Sequence, residues 1–246
     1  MRLYGKNPVL ERLRFNPKSV RKIFIQEGID AALIQQKARQ NHIPFFIVPR
    51  SRILKMSRNT NTQGVVVDCD DFSYIDYDEL LENALNKKRT VLFLDSLTDP
   101  QNLGSIFRTA ACLGKFSIVL PTHDSVGVTE VVLRVACGGE NYVPIARVSN
   151  LANALRRAKT SGFNIVGTVV KEGQPLTEIS FPYPLALVIG SEQSGIRPTI
   201  LKVLDGTVTV PMSVDTISLN VAQAAAIICY EINRQRLEYR NEKAKS

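Results

Sequence analysis

From residue 90 onward the chain repeats one pattern: a short apolar run, a polar turn, then a stretch of helical periodicity. The runs 91–94 (VLFL), 117–120 (SIVL), 164–169 (NIVGTV) and 185–189 (LALVI) are apolar at nearly every position, so strands made from them must be covered on both faces. Helical stretches at 103–113, 129–136, 151–161 and 198–203, and a long final one, alternate with them. That alternation predicts a mainly parallel sheet with helices on each side. Sheets of this kind take ligands just outside the C-terminal ends of their strands.

The polar residues fall at those ends. After 91–94 the chain reads DSLTDPQNLGSIFR, which puts Asp95, Asn102 and Gly104 in a turn and Arg108 one helical turn further, on the helix that the turn opens. After 185–189 it reads GSEQSGIRP, with Gly190 and Gly195 letting the backbone approach a ligand and Glu192 the one carboxylate between them. After 208–210, Pro211 starts a polar loop that enters an Ala/Ile-rich helix through Ser218, Leu219 and Asn220. Helix N-termini leave N–H groups unpaired, so Ser218 at the cap with Asn220 just inside predicts a donor-rich edge.

The front of the chain differs in charge. Residues 1–68 carry 13 Lys/Arg against 4 Asp/Glu, whereas 69–88 carry 2 against 6 and 89–246 carry 16 against 13. A net of +9 in the front segment suggests phosphate contact, with a solvated basic face as the alternative. Helices at 5–14 and 30–39 with strands at 22–26, 44–48 and 64–68 make it a small α/β unit, RNA-binding in this reading. The loop 58–64 (RNTNTQG) is either a surface turn or a contact loop for RNA sugar and phosphate. Residues 69–88 read as a linker with a short helix at 77–86 and few contacts across it.

Other classes drop out. No apolar run has signal-peptide or membrane-spanning length, which places the chain in the cytoplasm. Cys69, Cys112, Cys137 and Cys229 lack metal-site spacing with His42 and His123, so four reduced, mostly buried thiols and no metal are expected. There is no GxGxxG, Gly190 to Gly195 lacks the Lys-Ser/Thr of a P-loop, and Cys137 has no suitably placed His. The residues by themselves lead to an α/β enzyme with a strand-end ligand site and an RNA-binding front unit.

NLGSIFRTA at 102–110, LALVIGSEQSGIRP at 185–198 and VPMSVDTISLNVAQAAAI at 210–227 resemble, in order, the three motifs of the SpoU (TrmH) family of RNA ribose 2'-O-methyltransferases. The front 68 residues resemble, more weakly, the L30e-like substrate-binding domain of its ribosomal RNA members, with Thr62 where these often carry His before Gln-Gly. The resemblance implies an α/β chain of three parts: an N-terminal L30e-like domain at 1–68, a linker at 69–88, and an α/β-knot (SPOUT, trefoil-knot) methyltransferase domain at 89–246. It implies S-adenosyl-L-methionine as cofactor, held by Thr168, Gly190, Val210 and Leu219, the last three through backbone atoms. It gives Asn102, Arg108, Glu192, Ser218 and Asn220 as the catalytic set, and a homodimer as the working form. The implied reaction is methylation of an RNA ribose 2'-hydroxyl, first of all on a guanosine of 23S ribosomal RNA. Transfer RNA as substrate, and a silent RNA-binding protein of the same fold, stay open as alternatives.

Overall fold

The structure, a computed structural model, describes residues 1–57, 61–214 and 217–243. The front of the chain forms β1 (Arg2–Tyr4), α1 (Lys6–Phe15), β2 (Val20–Gln26), α2 (Ala32–Gln40), β3 (Phe45–Val48), α3 (Arg50–Met56) and β4 (Val65–Cys69). They make a four-stranded sheet of order β1-β4-β2-β3, antiparallel except for the β2/β3 pair. Leu3, Ile23, Ile25, Val65 and Val67 pack on α1 and α2, while Phe24, Val48 and Val66 pack beneath Ile53 of α3. The sequence reading missed β1, which is only three residues long, and α3, whose basic composition hides a helix with Ile53 as its one buried side chain.

Loop 58–64 is partly structural. Thr62 is buried, and Gln63 Oε1 accepts the Lys6 backbone N–H at 2.8 Å, capping α1 where Gly5 (φ 93°) offers no side chain. Arg58, Asn59 and Thr60 lie outside the described residues.

The remainder adds α4 (Tyr77–Asn86), β5 (Thr90–Leu94), α5 (Pro100–Leu113), β6 (Phe116–Pro121), α6 (Glu130–Ala136), β7 (Ile145–Val148), α7 (Leu151–Thr160), β8 (Asn164–Thr168), β9 (Gln174–Pro175), β10 (Leu185–Ile189), α8 (Pro198–Leu201), β11 (Gly206–Thr209) and α9 (Val221–Lys243). The seven strands lie in the order β7-β6-β5-β10-β8-β11-β9, and every pair is parallel, as the apolar runs required. One face packs on α5, α6 and α9, the other on α4, α7 and α8. All of β5, β6 and β10 is buried. The short strands β7 and β9 were not legible in the sequence.

The short helix expected at 77–86 is present as α4, but it is packed on the second sheet and not tethered with few contacts. Asp76 caps α4 by accepting from the N–H groups of Asp78 and Glu79, and Tyr77, Leu80, Leu81 and Ala84 pack against Val91 and Phe93. Its amphipathic residues find a hydrophobic partner in the second sheet. The front unit is docked as well: Glu130 on α6 accepts the Arg2 N–H at 2.7 Å and the Tyr4 hydroxyl at 3.3 Å, and Leu133 belongs to the front core. Arg12 and Glu140, both buried, approach to 3.5 Å across the junction, and burial pushes the Glu140 carboxyl up against the opposing pull of Arg12.

Candidate active site

Strand order brings distant motifs together. β10 lies between β5 and β8, and β8 lies between β10 and β11, so the chain leaves the sheet at Asp95, Gly190, Thr168 and Val210 along neighbouring strand ends. At the first exit Pro100 opens α5 with Asp99 as its cap. Asn102 and Gly104 therefore lie inside the helix, not in the turn that the sequence suggested. Gly104 is required there because a Cβ would come within 2.6 Å of Val135 Cβ and 2.8 Å of the Val132 carbonyl oxygen on α6.

Asn102 is the hub. It is 8% exposed, its amide nitrogen donates to Glu192 Oε1, and its Oδ1 accepts from Asn220 Nδ2 at 3.0 Å. Three side chains from residues 102, 192 and 220 thus form one hydrogen-bonded set at the strand ends. With the Asn102 amide facing it, the Glu192 carboxylate is fixed in direction yet remains exposed on its other side. The cap of α9 is Asn220 and not Ser218: Asn220 Oδ1 accepts the Ala222 N–H at 2.8 Å while Gln223 Oε1 accepts the Asn220 N–H at 3.3 Å. This reciprocal pairing holds Asn220 over Asn102. Ser218 and Leu219 sit exposed just before it, and Asp215 and Thr216 of the same motif lie outside the described residues.

Arg108 stands apart from this set. It projects exposed from α5, and its Nη1 donates to Cys137 Sγ at 3.8 Å. Among the described residues it has no carboxylate within ion-pair distance, which leaves its charge available to a phosphate or a developing alkoxide. Cys137 itself takes a left-handed conformation at the end of α6, and a Cβ on Gly139 would lie 3.2 Å from the Arg108 Cα. Of the remaining thiols, Cys69 and Cys229 are buried, and burial pushes the Cys229 thiol up to about 12; Cys112 is exposed, against expectation.

The Gly190 turn is closed on itself. Ser191 and Gly195 exchange two backbone hydrogen bonds of 3.0 Å each, and a Cβ on Gly190 would overlap the Gly195 carbonyl. Gly190 is buried, with its backbone packed directly on that of Gly195 and Ile196, a close approach that only glycine allows. One functional pair escaped the sequence reading: Asp95, fully buried, accepts from Arg197 Nε at 2.7 Å and from the Arg197 N–H at 2.9 Å. It ties the exit of β5 to the far side of the Gly190 turn. A carboxylate directly after a buried strand was the available signal. Asp95→Asn should lower unfolding stability by about 1.5 kcal/mol, because a charge-assisted bond is removed while Arg197 keeps access to water. Denaturant titration measures this, and unchanged stability would show that the pair is not holding the turn.

Residues 89–230 match the SpoU rRNA Methylase family, and residues 2–75 match the family described as RNA 2'-O ribose methyltransferase substrate binding. The 23S rRNA (guanosine-2'-O-)-methyltransferase RlmB of Neisseria meningitidis is 35% identical over 98% of this chain and 97% of its own length. An uncharacterized tRNA/rRNA methyltransferase of Synechocystis is 36% identical over 95% of this chain, which spans 62% of that longer protein. Among solved structures, the SpoU methyltransferase AviRb from Streptomyces viridochromogenes, in complex with the cofactor AdoMet, superposes with a TM-score of 0.81 at 23% identity, covering 96% of this chain and 90% of that one.

Proposed function

Because this chain belongs to the SpoU rRNA methylase family of RNA methyltransferases, we propose that it transfers a methyl group from S-adenosylmethionine to a ribose 2'-hydroxyl of RNA, with a guanosine of 23S ribosomal RNA as the target. The observation that carries this reading is the Asn102–Glu192–Asn220 set at the C-terminal strand ends, with the uncompensated Arg108 on the same helix as Asn102. The near-full-length similarity to an RlmB supports the 23S guanosine, and cytoplasmic location follows from that substrate.

The residues fit the cofactor. Thr168, Gly190 and Val210 lie at adjoining strand ends, so that main-chain groups there, with the exposed apolar side chain of Leu219 next to Asn220 in the chain, would meet an adenosyl group. When bound, S-adenosylmethionine supplies an electrophilic methyl. The chain's own residues then have to direct the ribose oxygen and manage its proton. Asn102 holds Glu192 and Asn220 in place, Asn220 and Ser218 orient the nucleotide, Glu192 accepts a hydrogen bond from it, and Arg108 steadies the oxygen as its proton passes to solvent water, or anchors the adjoining phosphate.

We read the C-terminal unit, 89–246, as a trefoil knot. Supporting this, β10 is inserted between β5 and β8, Glu192 and Asn220 meet on Asn102 at the strand ends, and α9 returns across α5 with Arg236 Nη2 donating to Thr90 Oγ1 at 2.9 Å. The front unit, 1–68, is the L30e-like RNA-binding domain, and 69–88 contributes α4 to the catalytic unit. The assay is transfer of labelled methyl from S-adenosylmethionine to ribosomal and to transfer RNA, followed by mapping of the modified nucleotide. Methylation of transfer RNA alone would remove the 23S target, and none on either would leave a silent RNA binder.

The working form is a homodimer. α9 buries Val221, Ala225, Ile228, Cys229 and Ile232 toward α5, whereas Ile227, Tyr230 and Leu237 form an exposed stripe at helical spacing on its other side. A symmetric pair would cover that stripe. Tyr230→Asp is expected to give a monomer of reduced activity by light scattering, and a wild-type monomer with full activity overturns the dimer.

A further inference from the structure

Between the front sheet and α6 runs a cleft of about 880 Å³, away from the strand-end site. Strand register sets Arg2, Asp68 and Lys22 side by side across β1, β4 and β2 on its wall. Asp68 is neutralised by Arg2 Nε at 3.0 Å and Lys22 Nζ at 3.3 Å. Glu130, on the opposite wall, is taken by the Arg2 N–H and the Tyr4 hydroxyl. Both carboxylates of the cleft are thus engaged within the protein. Lys55 from α3 and Arg134 from α6 also line it, and among the described residues neither has a carboxylate partner. The unspent charge of the cleft is positive and comes from both units.

The chemistry differs on its two sides. Beyond Lys22, next to the cleft and not part of its lining, Phe46 on the edge strand β3 stacks on Phe24 with ring centroids 5.6 Å apart, yet remains 48% exposed. Lys22 Nζ, which also lines the cleft, and the Arg52 guanidinium lie 5.7 and 5.8 Å from the Phe24 ring. A half-open ring braced by a second ring, which itself carries cations, is a platform for a nucleobase. On the other side, Arg134 is three residues before Cys137, the thiol that receives the Arg108 guanidinium. Cations of both units thus line the cleft, and α6, which carries Arg134, also carries toward α5 the thiol that meets Arg108.

We propose that this cleft holds a single-stranded segment of the RNA, its phosphates between Lys55 and Arg134 and one unpaired base stacked on Phe46, leading toward Arg108. The inference rests on the methyltransferase reading above and adds the form of RNA that is recognised. A duplex keeps its base faces stacked internally, so it gains nothing from Phe46, whereas an unpaired strand offers both phosphates and ring faces.

The test uses the full chain and anisotropy titration against a short unstructured oligoribonucleotide and a hairpin duplex, each over a range of salt. The double variant K55A/R134A should weaken single-strand binding and reduce the slope of log K against log salt by roughly 0.7 for each phosphate that the missing cations had neutralised. Phe46→Ala should weaken single-strand binding by roughly tenfold and leave duplex binding as it was. Thermal melting and S-adenosylmethionine affinity, unchanged in both variants, show that folding is intact; if either falls, Phe46→Leu and Lys55→Gln with Arg134→Gln replace them. Unchanged single-strand affinity and slope in variants that fold would overturn the proposal. So would equal weakening of duplex and single strand, which would leave a backbone-binding surface without base stacking. A wild-type protein that moves no methyl to any RNA defeats the functional reading instead, while one that methylates RNA yet is indifferent to these substitutions defeats the cleft alone.

Discussion

Arg108→Ala should reduce methyl transfer by about 10²–10³-fold while S-adenosylmethionine binding stays within a few-fold. The side chain leaves α5 on its exposed side, and its one hydrogen bond among the described residues is to the Cys137 thiol at 3.8 Å. Thr168, Gly190, Val210 and Leu219 stand on other segments and do not depend on it. A guanidinium stays protonated in water, so it is a poor proton acceptor and a good partner for an anion. Its removal therefore withdraws stabilisation from the oxygen as charge develops, or from the phosphate that positions it. Arg108→Lys separates the two: a point charge retains most of the alkoxide effect, whereas the forked grip on a phosphate goes and the KM for RNA rises. Isothermal titration for the cofactor and single-turnover transfer for the chemistry measure the contrast. Equal loss of both activities would make Arg108 a structural residue.

Gly190→Ala should weaken cofactor binding by about 100-fold, since overpacking a filled site costs about 1–3 kcal/mol and each 1.4 kcal/mol is about tenfold in affinity. The added methyl has nowhere to go. It would meet the Gly195 carbonyl and the Ile196 nitrogen, both backbone, so the 191–195 turn must move as a whole. Movement strains the paired Ser191 and Gly195 hydrogen bonds and the Asp95–Arg197 tie, and it carries Glu192 away from Asn102. Gly206→Ala is the matched control, because nothing lies within 4 Å of a Cβ there and its backbone is ordinary. Titration calorimetry on both variants decides. A Gly190→Ala protein that binds S-adenosylmethionine as the wild type does would show that the turn yields without cost and that the cofactor does not rest against it.

The order of amino acids alone sets the parallel sheet, because runs such as 185–189 have no polar face and can only be central strands. It also determined which residues were candidates. Asn102, Glu192 and Asn220 each follow a strand, and polar groups at strand ends are legible without coordinates. Local boundaries near these residues were less so. The sequence favoured Ser218 as cap, and only the fold shows Asn220 in that role, since Gln223 reaches back to its N–H and Asn102 holds its amide. Capping propensity is shared among Ser and Asn, and the third partner, 118 residues away, breaks the tie.

The largest difference lies between the two units. Acidic, then amphipathic residues at 69–88 have the composition of a linker, yet Tyr77, Leu80 and Leu81 are buried against β5. An amphipathic helix is indifferent to where its apolar stripe goes, so its destination is set by whichever surface is left open, and no local pattern encodes that. The same holds for Asp95 with Arg197, for Arg12 with Glu140, and for the cleft that joins Lys55 to Arg134: each pairs residues from separate segments. Charge totals told of a basic front segment. Which of those cations are paired, as Arg2 and Lys22 both are with Asp68, and which stay without a carboxylate, was decided by strand register and by the docking of α6.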